Sequence, residues 1–244
     1  MNAEEYVKMH DLEDHYWWFV GRRALALDLV REYASGPPPY KVLDLGCGTG
    51  VVSHDMQAFA KTWGLDFNLQ ALAFCQERGL SNLAQGDAER LPYRSDTFDA
   101  ITSLDVFEHL KDDEVAFREA FRVLKPQGIL VLSVPAFKSL WGPHDIALHH
   151  FRRYRRNEVA RKLEAEGFQV VKNSYSVFVL FPLVVLSRLI EKLKTGPAKA
   201  SLPKVPEWLN GFLIWIQKLE AGMILKVGNL PWGSSVVTVA RKPD

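Results

Sequence analysis

Nine residues, Val42-Leu43-Asp44-Leu45-Gly46-Cys47-Gly48-Thr49-Gly50, constrain the fold more than any other stretch of the chain. Val42 to Leu45 is a short apolar run carrying one carboxylate, the signature of a buried parallel strand. Three glycines at alternate positions follow at once, and after them apolar residues recur at helical spacing. Glycine there permits positive φ and lets a ligand approach bare backbone. At the carboxyl end of a strand in an open α/β sheet, such a turn lies on a ligand crevice.

The spacing separates this turn from the dinucleotide fingerprint. That fingerprint is G-x-G-x-x-G, with pyrophosphate on the helix N-terminus. Here the pattern is G-x-G-x-G, with Asp44 two residues before the first glycine. It resembles motif I of the class I S-adenosylmethionine-dependent methyltransferases, and the small-molecule (type 11, UbiE/UbiG-like) members in particular. The resemblance implies S-adenosylmethionine as cofactor. It also implies that Gly46, Cys47, Gly48 and Gly50 run beneath the methionine and ribose, while Asp44 orders the loop. Two other readings stand beside it: a cofactor-binding module without turnover, and a nicotinamide-dependent oxidoreductase.

Downstream, Lys61 to Asp66 reads as a second strand ending in an acid, after a helix over 51–60. Asp66 follows Asp44 by 22 positions, close to the interval at which an acid meets ribose hydroxyls. Phe67 beside it offers a face for a purine. The resemblance places an acid next to the adenine amino group at Gly86-Asp87-Ala88. Leu91-Pro92-Tyr93 and Ser95-Asp96-Thr97-Phe98-Asp99 also fit the small-molecule pattern. Phe98 to Ser103 is the fourth strand, so Ser103, Leu104 and Asp105 at its end are candidates for the methionine part of the cofactor. His109, just beyond, reads as a capping residue. Asp112 to Leu124 has an amphipathic helical pattern, and Ile129 to Val134 is a strongly apolar fifth strand. This alternation, with the resemblance, gives an α/β fold: a Rossmann-like seven-stranded methyltransferase sheet with helices on both faces.

Residues 1–39 read as an N-terminal helical lid that ends at Ser35-Gly36-Pro37-Pro38-Pro39. Its Tyr16-Trp17-Trp18-Phe19 cluster suits packing. Arg22 or Arg23 suits bidentate capture of the cofactor's carboxylate.

A second constellation occupies 135–156, leaving the sheet on the ligand side. His144, Asp145, His149 and His150 fall within seven positions. A general base (His149 or His144), a metal site and a packed loop all fit that spacing, and no metal ligand is assigned. Arg152-Arg153-Tyr154-Arg155-Arg156 is the densest charge in the chain. It reads either as a solvated basic turn before a helix capped at Asn157, or as a substrate site in which Trp141, Arg152, Arg153 and Tyr154 hold a phosphate or carboxylate. The loop resembles one in bacterial methyltransferases associated with polysaccharide or lipid-linked precursors.

The expected core spans 40–176 and closes with a last strand at 235–244. Between them lies the main departure from the family pattern, an apolar helical insert at 177–234. It is flanked by Arg188, Lys192, Lys194, Lys199, Lys204, Lys218 and Lys226. A cap over the site, a homodimer interface and a membrane-surface contact all fit it.

Net charge is +1, which removes the electrostatic ground for a nucleic-acid partner. The acidic, polar opening of the chain lacks a signal-peptide pattern, and the longest apolar run (177–186) is too short to span a bilayer. The two cysteines form no disulfide framework. The expected setting is cytoplasmic, with contact at the inner membrane face if the insert supplies it. The expected acceptor is a small, partly apolar, lipid-linked or saccharide-containing molecule, methylated on oxygen or carbon.

Overall fold

A computed structural model describes residues 3–193 and 203–244. Seven strands form one sheet: β1 (Tyr40–Leu45), β2 (Ala60–Asp66), β3 (Leu83–Gln85), β4 (Phe98–Leu104), β5 (Leu124–Pro135), β6 (Gln169–Ser176) and β7 (Ser235–Arg241). Their order is β3-β2-β1-β4-β5-β7-β6. The first five are mutually parallel, and β7 runs antiparallel to both β5 and β6. The chain winds outward from β1 to β3, then returns to the other side of β1 with β4. The carboxyl ends of β1 and β4 therefore flank the topological switch point, where open α/β sheets bind ligands.

The helices are α1 (Ala3–Leu12), α2 (Trp17–Tyr33), α3 (Val51–Met56), α4 (Leu69–Glu77), α5 (Asp113–Val123), α6 (Pro143–Ala147), α7 (Arg156–Ala165), α8 (Phe181–Leu193) and α9 (Glu207–Lys226). Strand side chains alternate between two apolar layers. Leu43, Leu45 and Ile101 pack with Phe117 of α5 and Leu163 of α7. Val42, Ala100 and Val131 pack on the other face with Leu29, Met56 and Ile224 of α2, α3 and α9. Covering both faces is what allows these strands to be apolar throughout.

Several boundaries differ from those read in the sequence. The single N-terminal helix is two, broken at Glu13–Tyr16, where the chain turns from the cofactor loop toward the sheet. The helix expected over 51–60 stops at Met56, because Gln57 and Phe59 turn back onto His54 and Met56. β5 starts at Leu124 and passes through Pro126 and Gly128 with an irregular register against β4. Asn157 is not a cap: α7 begins at Arg156, with Arg155 in the extended capping position.

Residues 177–234 leave the sheet and return to it, so β7 slots between β5 and β6. The inner face of α9 buries Gln217, Glu220, Ala221 and Ile224. Glu220 accepts the backbone N–H groups of Val177 and Val179, fixing the turn out of β6 where Val177 holds φ +60°. Lys194, Lys199 and most of the linker lie outside the described residues, as does the side chain of Lys192. No described helix is long and apolar enough to cross a membrane.

Candidate active site

The glycine loop is built from backbone bonds. Gly46 and Cys47 both donate to the Leu65 carbonyl, at 2.7 and 3.0 Å, which ties the end of β1 to β2. Gly46, Gly48 and Gly50 all have positive φ. A side chain at Gly46 would collide with Val106, and one at Gly48 would lie 2.6 Å from Met9 Cε. Asp44 is buried and accepts from Ser53 Oγ at 2.8 Å and Thr102 Oγ1 at 2.9 Å. Burial, reinforced by nearby Asp66, pushes its carboxyl up to about 6 against those two hydroxyls.

Asp66 accepts from Gly48 N and Asn68 N, both at 2.9 Å, and from the Tyr6 hydroxyl at 3.3 Å. Burial raises its carboxyl above the usual range, opposed by those three donors. Tyr6 belongs to α1, which lies over the loop. Glu13, just after α1, is bonded by Thr49 Oγ1 and by Arg78, and His10 stacks on Phe74 of α4. The N-terminal segment thus lies over the glycine loop.

Below this segment is a continuous cavity of about 1480 Å³. A single small ligand occupies roughly 300–1,000 Å³ of pocket, so this space is large enough for a cofactor and a small acceptor together. One end is lined by Asp44, Gly46, Cys47, Gly48, Asp66, Phe67, Asp87, Ala88, Leu104 and Asp105. These ten are cofactor candidates that the sequence scattered over 62 positions, and the fold brings them to one wall. Phe67 is 77% exposed, an uncovered aromatic face at the lip. Arg22 also lines the cavity; it pairs with Asp105 and keeps a buried Nε without a protein partner. Arg23 is committed to Asp55 and the Glu13 carbonyl.

Two cofactor candidates are not on this wall. Gly50 precedes α3 and faces away, where a side chain would lie 2.8 Å from Cys75 Sγ and from Leu80. Its freedom serves helix packing. Ser103 is fully buried within the sheet, where alternation turns it to the face opposite Leu104, which lines the cavity. Cys47 and Cys75 are free thiols 3.8 Å apart in the same cluster.

The other end of the cavity is formed by the loop after β5, the turn after β4, and α8. His144 and His149 both line it. Burial depresses His144 to about 4, so its ring is neutral at physiological pH. His149 is exposed and sits at φ +58°. Leu180, Leu183 and Val184 supply an apolar flank.

The structure gives the arginine-rich run protein partners of its own. Arg152 binds Asp113 at 2.7 Å and the carbonyls of Leu110 and Lys111. Arg153 is buried and forks onto both oxygens of Asp145, at 2.7 and 3.1 Å, with a third bond to the Ala136 carbonyl. Tyr154 is fully buried and donates to Asp113 at 2.8 Å. Trp141 ends the short turn 138–140 and is not on the cavity wall. Nor is the whole run a solvated turn, because Arg152 ties the post-β5 loop to Asp113 of α5 and Arg153 is buried against Asp145, while Arg155 is exposed. Of this group only Arg153 reaches the cavity, and its guanidinium is already engaged.

What the sequence reading passed over is the pairing of Asp145 with His150. Asp145 binds His150 Nδ1 at 3.0 Å. Burial alone would raise the Asp145 carboxyl, but bonds from His150 and Arg153 hold it well below the usual range. An ionised carboxylate only accepts, so His150 Nδ1 is the donor in this bond. The five-residue separation across a tight turn was the available signal.

Residues 43–132 match the family described as "Methyltransferase domain". A demethylmenaquinone methyltransferase of Mycobacterium marinum is 37% identical over 122 residues, covering 49% of this chain and 48% of that protein. A 2-methyl-6-phytyl-1,4-hydroquinone methyltransferase of Oryza sativa subsp. japonica is 30% identical over 161 residues, covering 64% and 48%. The chain spans about half the length of these curated relatives. Among solved structures, the complex between the Haloferax volcanii Trm112 methyltransferase activator and a methyltransferase contains a chain of the same fold, with TM-score 0.66 and 18% identity. That likeness covers 99% of this chain and 95% of the other. Residues 43–132 thus match the methyltransferase domain family, and the seven-stranded sheet shares its fold with a solved methyltransferase complex. That match is preceded in the chain by α1 and α2, and α8 and α9 come between β6 and the last strand.

Proposed function

We propose that the chain transfers the methyl group of S-adenosylmethionine to an oxygen or carbon of a small acceptor that has an apolar part. One observation carries this reading: a single cavity runs from the Asp66 glycine loop to the histidine-lined, leucine-flanked far wall. The sulfonium already activates the methyl group, so the protein's work is to align the nucleophile and exclude water. Such alignment is worth up to roughly 7–11 kcal/mol. Asp66 receives the ribose, Phe67 covers the purine, Asp87 takes the adenine amino group, and Arg22 with Asp105 frames the methionine end. The histidine wall, including His144 and His149, faces the acceptor, where a proton leaves an oxygen nucleophile.

The relatives' printed names, demethylmenaquinone and a phytyl hydroquinone, support an acceptor ring with a lipid tail. The insert supports it as well. Leu183, Leu186 and Leu189 of α8 are exposed, as are Trp208, Phe212, Trp215 and Leu219 on one stripe of α9. We place this surface against the cytoplasmic face of a membrane, from which such an acceptor enters; Arg188, Lys218 and Lys226 add basic charge there. The test is label transfer from methyl-labelled S-adenosylmethionine to isoprenoid hydroquinones and lipid-linked saccharides. Product on one class identifies the acceptor. Absence of product from every member, with the cofactor bound, refutes the transfer reading.

A further inference from the structure

We propose that Glu108, His109 and His150 form a binding site for one divalent first-row transition-metal ion, open toward the acceptor end of the cavity. Among the described residues, these three bring one ligand atom each to within 4.8 Å of one another. Glu108 and His109 belong to the turn 107–109 after β4, and His150 comes from the loop after β5. The two segments are joined where Phe151 N donates to the Glu108 carbonyl at 2.8 Å. The rings of His109 and His150 stand at 88° with centroids 4.6 Å apart.

The independent sign of a ligand is Glu108 itself. Its side chain is fully buried, yet neither carboxylate oxygen has a hydrogen-bond partner. Nearby cations do not supply one, because Arg22 is paired with Asp105 and Arg153 with Asp145. An unpartnered buried carboxylate is costly unless a cation or proton joins it.

His150 is prepared for the same role. Asp145 accepts a hydrogen bond from His150 Nδ1, which fixes the ring and points Nε2 to the ligand position, the carboxylate–histidine–metal arrangement. Two imidazoles and one carboxylate suit zinc or its neighbours over magnesium or calcium, which prefer oxygen donors. A tetrahedral shell with bonds of about 2.1 Å needs ligand atoms about 3.4 Å apart. All three residues line the cavity, so the fourth position faces the acceptor. This role for the ion rests on the methyl-transfer reading, whereas metal binding itself does not.

The test uses full-length, tag-free protein stripped with a chelator and titrated with zinc against a chromophoric competitor. We expect one zinc per chain with micromolar or tighter affinity, and no competition from millimolar magnesium. Glu108→Gln and His150→Gln each weaken zinc at least tenfold, while both still bind S-adenosylmethionine, which reports that they fold. The proposal is overturned if the wild type takes up no stoichiometric zinc, or if both variants bind zinc as the wild type does. Failure of S-adenosylmethionine to bind the folded wild type would instead count against the methyl-transfer reading.

Discussion

Asp44 makes stability depend on pH in a direction opposite to that of an ordinary ion-paired carboxylate. In the fold its carboxyl is raised from 3.8 to about 6 by burial and the charge of Asp66. Between those values the folded chain keeps a proton that the unfolded chain has lost. The stability held at this site is therefore complete below about pH 4 and declines as pH rises to 6. The whole decline is about 3 kcal/mol, at 1.36 kcal/mol per unit. About 1.4 kcal/mol of it falls between pH 5 and pH 8, the range open to measurement. Asp44→Asn keeps the shape and the bonds to Ser53 and Thr102, whose hydroxyls also accept, but has no charge to bury. Urea unfolding at pH 5 and pH 8 gives the difference between the two proteins. The variant should gain on the wild type by about 1.4 kcal/mol on going to pH 8. A difference that stays constant within about 0.3 kcal/mol would mean that Asp44 is not the raised group.

Three further outcomes follow from the contacts. Tyr154→Phe removes a buried hydroxyl from Asp113 and should lower unfolding free energy by about 1–3 kcal/mol while leaving cofactor affinity unchanged, since Tyr154 is a core residue and not a substrate contact. Arg22→Ala should weaken S-adenosylmethionine about tenfold or more in calorimetry, the worth of one charge-assisted bond, and equal affinity would remove Arg22 from the site. Trp208→Ala with Trp215→Ala should reduce sedimentation with anionic phospholipid vesicles without altering cofactor affinity. Wild-type protein that stays in the supernatant would refute the membrane contact.

Legibility in the sequence tracked how local the physics is. The strand–glycine–helix unit at 42–56 is set by residues adjacent in the chain, and Asp66 by a strand length counted from it. The sheet order follows once βαβ units are recognised, because their handedness leaves few alternatives. Residues 152–156 misled because charge density alone does not reveal partners. Asp113, which takes Arg152, Tyr154 and Lys162, lies some forty positions away, and Asp145 takes Arg153 from within the loop. Ser103 and Gly50 misled for a smaller reason. Both lie next to residues on the cavity wall, yet strand alternation and helix packing turn them inward. Glu108 gave no signal, since only tertiary structure shows that its carboxylate is buried without a partner.

Calorimetric titration of the wild type and Asp66→Ala with S-adenosylmethionine and its demethylated product tests the central claim most directly. One molecule of each should bind the wild type. The variant, lacking the carboxylate that Gly48 and Asn68 now bind, should lose at least tenfold in affinity while remaining folded. A folded wild type that binds neither ligand, or a variant that binds both equally well, would contradict the assignment of this crevice to the cofactor.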